Sequence, residues 1–295
     1  MRAAVVRTFG GPETVEIVEA EVPEPGARQV RIKVAAAALN PVDAGVRGGF
    51  FGGAGKQIGF GWDVAGTVDA TGVATAWSVG DEVVALDPGM VRPLGTHAEY
   101  VVVDTDAVAK APATVDAVHA STLPLNALTA EQALELLELT EGQSLLVTGA
   151  AGAVGGFAIQ LAARRGVSVT GLAREGDEEL VRSLGADFAS KTAELGTYDA
   201  VLDAANLGEA ALEWVRDGGA YVGVRPGGHP ESVRGVRTTA VAVTADGARL
   251  ARLAALVDEG VLTLRVAETY PLDDAAKAHA RLDAGGVRGR LVLVP

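Results

Sequence analysis

Between Ser144 and Arg174 the chain carries the residues best suited to hold a diphosphate. The run Gly149-Ala150-Ala151-Gly152-Ala153-Val154-Gly155 follows the apolar stretch Ser144–Thr148 and leads straight into Phe157–Ala163. A diphosphate there would meet the first backbone N–H groups of a helix and the positive end of its dipole. A side chain at Gly152 would obstruct those amides, and glycine at 155 lets helix and strand approach closely. The dinucleotide fingerprint G-x-G-x-x-G is matched as Ala150-x-Gly152-x-x-Gly155, so its first glycine is absent. A glycine turn that binds nothing would share these glycines, but here a strand precedes, a helix follows and the β-branched strand Val167–Thr170 comes on schedule. Ala151, Gly152, Ala153, Val154 and Gly155 are therefore candidate dinucleotide contacts, joined by Gly223 in the later strand Ala220–Val224.

Where the second strand ends, a dinucleotide enzyme chooses its cofactor: an acid takes the ribose hydroxyls of NAD, and a cation accommodates the extra phosphate of NADP. Arg174 arrives first and Glu175 follows. A guanidinium matches a phosphate through paired hydrogen bonds, which favours NADPH, while Glu175 keeps a ribose contact open.

The elements that must position these groups fall into two patterns. Residues 1 to about 110 alternate in short strands such as Val30–Val34, with Gly and Pro turns between them, at barrel-like spacings. Glycines 45, 48, 49, 52, 53, 59 and 61 make a loop-rich mouth. From about residue 115 helices begin, with Val115–Leu123 and Leu128–Leu137, and strands then alternate with helices as in a doubly wound parallel sheet. The expected division is 1–118, with 267–295 returning to it, and 119–266 as the Rossmann domain. Thr238–Thr244 reads as an edge strand that a second copy of the chain would cover, so a homodimer is expected.

Composition excludes several classes. Of 295 residues 48% are hydrophobic, enough for a large core, and the net charge of −13 offers no basic face to nucleic acid or anionic lipid. No apolar run is long enough for a bilayer span or signal peptide, so a soluble cytoplasmic protein acting on a small molecule is expected. Cysteine is absent, which removes disulfides, thiolate nucleophiles and zinc sites built on cysteine. The four histidines, His97, His119, His229 and His279, lack ligand spacing, so no metal site is expected. His97 reads as a surface imidazole beside Glu99 or as a proton donor.

In this order, Gly10–Glu13, Asn40–Asp43, Gly61–Gly66, Val79–Val83, Ala98–Tyr100, Leu123-Pro124 with Leu128–Ala130, the glycine turn, Leu184–Asp187 and Arg288–Arg290 resemble the medium-chain dehydrogenase/reductase superfamily, and within it the zinc-independent quinone oxidoreductase group. The resemblance covers the chain nearly end to end. It implies an α/β protein with a GroES-like catalytic domain, a Rossmann domain and an active cleft between them. Zinc-dependent relatives have a cysteine near Asn40 or Pro41 and a histidine near Trp62, and neither ligand is here. Without a Lewis acid the easier reaction is hydride transfer to an electron-poor acceptor such as a quinone or enone. The resemblance places Asn40 near nicotinamide and substrate, where its amide would donate to a carbonyl; the local sequence equally fits a turn-forming Asn before Pro. It makes Asp43 an orienter of backbone and Thr129 a cofactor contact, although a helical Thr also bonds its own turn. Lys191 is a second candidate for the NADP phosphate. Where relatives often carry Tyr this chain has Gly45. An enoyl or acrylate reductase, or an NADPH-binding protein without turnover, are the alternatives on the same scaffold.

Overall fold

The computed structural model describes residues 1–295, which form two compact units, Met1–Leu125 with Thr244–Pro295, and Asn126–Val243.

The first unit is built on the strand Gln29–Leu39. Its N-terminal half alternates, with Val30, Ile32 and Val34 buried and Lys33 exposed, as expected of a strand with one solvated face. From Ala36 to Leu39 every residue is buried, because small side chains there allow packing on both faces. It pairs antiparallel with Asp63–Thr71, Tyr100–Asp104 and the C-terminal strand Arg290–Val294. Glu82–Leu86 and Val108–Lys110 extend this seven-stranded sheet on one side, and Val266–Pro271 ends it on the other. A three-stranded sheet, in the order Val15–Glu19, Arg2–Val6, Ile58–Gly59, carries Ala4, Val6 and Ile58 into the same core as Leu39, Leu291 and Leu293.

The second unit holds a six-stranded parallel sheet in the order Asp187–Ala189, Ser168–Leu172, Ser144–Thr148, Tyr198–Asp203, Val215–Gly223, Arg237–Ala240. This is strand order 3-2-1-4-5-6, the doubly wound dinucleotide arrangement. Leu145, Leu146 and Val147 are wholly buried, as a strand covered on both faces requires. The edge strand begins at Arg237 and stops at Ala240, short of the expected Thr244.

The division between units falls elsewhere than at 118 and 267. The helix Gly247–Asp258 packs on the first unit: a methyl carbon added at Gly247 would lie 2.9 Å from the Asp106 carbonyl oxygen, and Asp258 accepts from the Thr114 N–H at 2.9 Å and its hydroxyl at 2.8 Å. These are contacts across about 140 positions, which local periodicity does not encode. The helix expected from Leu128 starts at Pro124, since proline lacks only an N–H that the first helical turn leaves unpaired anyway.

Candidate functional site

The glycine turn connects the strand Ser144–Thr148, in the middle of the parallel sheet, with the helix Ala153–Arg164. Ser144–Thr148 has Ser168–Leu172 on one side and Tyr198–Asp203 on the other, so the turn leaves the sheet where the strand order reverses, the position at which open α/β sheets take their ligands. Gly149 has φ of +62°, so the tight turn is made one residue before the fingerprint position, which Ala150 occupies. Gly152 is the exposed N-cap with extended backbone, and the first-turn N–H groups that follow, from Ala153 and Val154, have no acceptor within the helix. Gly155 is buried, and a methyl carbon there would press on the Gly149 carbonyl and stand 3.0 Å from Ala150 Cα. Ala151 is also buried. The cradle thus has the first-turn amides of a helix end behind a glycine N-cap, and it fits a diphosphate.

Strand register sets the remaining candidates. Leu172 pairs with Thr148, Thr148 with Asp203, and Asp203 with Gly223, so Gly223 lies in the same transverse row as the start of the turn. Leu172 also pairs with Ala189, and the Ala173 N–H donates to the Ala189 carbonyl at 3.1 Å. That pairing brings Lys191 to the edge where Arg174 stands. Both are exposed; Lys191 Nζ lies 4.0 Å from Glu175 Oε1, and the Arg174 guanidinium makes no ion pair. Beneath the row, Asp203 accepts from the Thr148 hydroxyl at 2.6 Å and from the Gly208 N–H and Tyr221 hydroxyl at 2.8 Å. Burial, then the bond to Asp203, raises the Tyr221 pKa and keeps its hydroxyl protonated.

In the first unit Asn40 caps the helix Pro41–Arg47. Asp43, fully buried, accepts the Asn40 N–H and the Gly61 N–H, each at 2.8 Å. It thereby holds two stretches of backbone together. Asn40 departs from expectation. Its amide nitrogen donates to Asp63 Oδ2 at 2.6 Å and to the Ala38 carbonyl at 3.3 Å, so neither hydrogen is left for a substrate carbonyl. Thr129 is buried on the helix Pro124–Leu137, one turn beyond Leu125.

Asp63 is the group that sequence reasoning passed over. It is fully buried, and its Oδ1 accepts the Leu125 N–H at 2.6 Å. Burial pushes its pKa up to about 7, against the opposing pull of the Leu125 N–H, the Asn40 amide and the Arg290 charge; Asp43 adds to the rise. The signal was present in Gly61-Trp62-Asp63-Val64-Ala65-Gly66, where one charge stands in an apolar run. Arg290, also buried, donates to the Leu39 carbonyl, and burial lowers its pKa while Asp63 and Asp43 hold it up.

The histidines do not form a metal site. His97 is buried rather than on the surface, with Nε2 3.1 Å from the Ala38 carbonyl. His279 is buried with Nδ1 3.1 Å from the Arg47 guanidinium. His119 pairs with Asp116 at 2.7 Å. No three acidic or histidine side chains converge in a way that would hold a cation, so the residues present do not fit a zinc ion.

Residues 26–113 match the family described as alcohol dehydrogenase GroES-like domain, and residues 176–293 the family described as zinc-binding dehydrogenase. An NADPH-dependent alkenal/one oxidoreductase of Arabidopsis thaliana is 34% identical over 313 residues, covering 100% of this chain and 80% of the relative. The quinone oxidoreductase from Coxiella burnetii superposes with a TM-score of 0.88 at 27% identity, covering 100% of this chain and 99% of that one. A mycobacterial protein solved as a complex with NADPH gives a TM-score of 0.85 at 27% identity, with both chains covered in full. The fold is that of a two-unit oxidoreductase with a dinucleotide-type sheet. The chain belongs to the medium-chain dehydrogenase/reductase superfamily, and within it to the quinone oxidoreductase group.

Proposed function

We propose that this oxidoreductase passes hydride from NADPH to a quinone or to the conjugated double bond of an enone, without a metal. One observation carries the reading: a glycine-capped helix end lies at the switch point of the sheet, with two exposed cations, Arg174 and Lys191, at the edge next to it. NADPH, when bound, supplies the hydride. The amides of Ala153 and Val154 would hold its diphosphate in the space left by Gly152 and Gly155, with Ala151 and Gly223 bordering it. Arg174, assisted by Lys191, would pair with the 2′-phosphate. Thr129 would contact the cofactor, and Asn40, through its fixed position, and Asp43, through the backbone it orients, would serve the substrate. Hydride addition leaves an enolate or a quinol anion, which takes its proton from water.

The alkenal/one specificity named for the Arabidopsis relative and the quinone specificity named for the Coxiella protein support these two acceptor classes. The wider proposal is a cytoplasmic homodimer acting on a small molecule, with no nucleic-acid or membrane partner. Its support is the charge of −13, the open edge strand Arg237–Ala240 and the lack of any helix long and apolar enough to cross a membrane. The test is a fluorescence titration with NADPH and NADH, followed by NADPH oxidation against quinones, enones and enoyl thioesters. Turnover of enones or quinones with preference for NADPH is expected. Equal affinity for the two cofactors, unchanged in Arg174→Ala, would sink the cofactor assignment, and turnover of enoyl thioesters alone would replace the acceptor class.

A further inference from the structure

The carboxylate of Asp63 joins three segments far apart in the chain. Oδ2 takes a hydrogen of the Asn40 amide at the start of one helix, and Oδ1 takes the Leu125 N–H in the first turn of another. The charged groups facing Asp63 are Asp43, from the helix it caps, and Arg290, from the C-terminal strand. Asp43 is occupied by the Asn40 and Gly61 backbones, and Arg290 donates to the Leu39 carbonyl.

We propose that Asp63 is a positioning residue for hydride transfer: through one buried carboxylate it holds the Asn40 amide and the Leu125 N–H in a single arrangement. The inference rests on the proposed function, in which Asn40 serves the reacting groups through its fixed position. An ionised carboxylate accepts at both oxygens and presents a hydrogen to neither donor. An asparagine at 63 would turn an NH2 group toward either the Asn40 amide or the Leu125 N–H, both donors, and would release one of them. A proton on Asp63 makes one of the two oxygens a poorer acceptor and weakens that bond in the same sense. Since burial lifts its titration to about 7, the arrangement completes itself as pH rises through neutrality.

The experiment compares wild type, Asp63→Asn, Asn40→Ala and the double variant in NADPH oxidation, each assayed below its thermal midpoint. Asp63→Asn is expected to lower kcat at least about tenfold, leave KM for NADPH within about twofold, and remove a rise of kcat with pH centred near neutrality. The double variant should lose no more than the worse single variant, because Asp63 acts through Asn40. Asp63→Glu, which keeps two acceptor oxygens, should restore the pH dependence in part, and it carries the test if the Asn variant does not fold. Wild-type kcat in Asp63→Asn, an unaltered pH profile, or simple additivity with Asn40→Ala would overturn the inference. A wild-type enzyme that oxidises NADPH with none of the acceptors removes the proposed function and this inference together, whereas an active wild type with an indifferent Asp63→Asn removes this inference alone.

Discussion

Two buried groups in the first unit should impose opposite pH dependences on stability, and removing either one exposes the other. Asp63 is ionisable near 3.8 when unfolded and is pushed up to about 7 by burial when folded. Its contribution is present below the unfolded value and is lost as pH rises through the folded one. His279 moves from 6.5 down to about 3, through burial first and then the neighbouring His97 and Arg47. Its contribution is present above 6.5 and is lost as pH falls toward 3. Between roughly pH 4 and 6.5 both windows overlap, and each group contributes a slope of about 1.4 kcal/mol per pH unit, with opposite sign. In wild type the two nearly cancel. Going from about pH 4.5 to about pH 6, Asp63→Asn should gain about 2 kcal/mol relative to wild type, and His279→Gln should lose about 2 kcal/mol. Urea midpoints at the two pH values, multiplied by the common denaturant slope, give these differences directly. Asp63→Asn also shifts stability by the difference between an amide and a protonated carboxyl at this buried site, a constant that cancels when the two pH values are subtracted. Parallel curves for wild type and both variants would refute the reasoning, since they would mean that neither group changes its proton affinity on folding.

Other predictions concern the second unit. Arg174→Ala should weaken NADPH binding by about tenfold or more while leaving NADH nearly unchanged, the loss of a charge-assisted pair, as read by quenching or enhancement of cofactor fluorescence. Gly155→Ala should abolish NADPH binding or unfold the turn, because the added methyl meets the Gly149 carbonyl and Ala150 Cα; a normal binding isotherm with a normal melt contradicts this. Tyr221→Phe removes one of three donors from the buried Asp203 carboxylate and should cost about 1.5 to 3 kcal/mol in denaturant unfolding, with no gain at any pH below 9 or so.

The chain announced its nucleotide turn through local features: an apolar run, glycines, then a helix with period near four. Such signals live within about ten residues, where backbone sterics and burial act together. Arg174 was legible for the same reason, since it stands where the second strand must end. Its neighbour Lys191 reached the same edge only through the pairing of Leu172 with Ala189. The turn glycine also shifted: Gly149 took the positive φ that the fingerprint assigns one place later.

Asn40 shows where local reading stops. Before Pro41 an asparagine fits a helix cap and a substrate donor equally, and the choice lies with Asp63, 23 residues away, and the Ala38 carbonyl. Composition and periodicity alone determined that this is an α/β protein with a glycine-bearing strand–helix unit and no cysteine chemistry, because those properties follow from residue type and near neighbours. Tertiary structure decided which carboxylate is buried, that Arg290 reaches the Leu39 carbonyl across 251 positions, and that the helix Gly247–Asp258 joins the first unit. Those outcomes depend on which distant backbone groups are left without a partner once the sheets close, a quantity that exists only after folding.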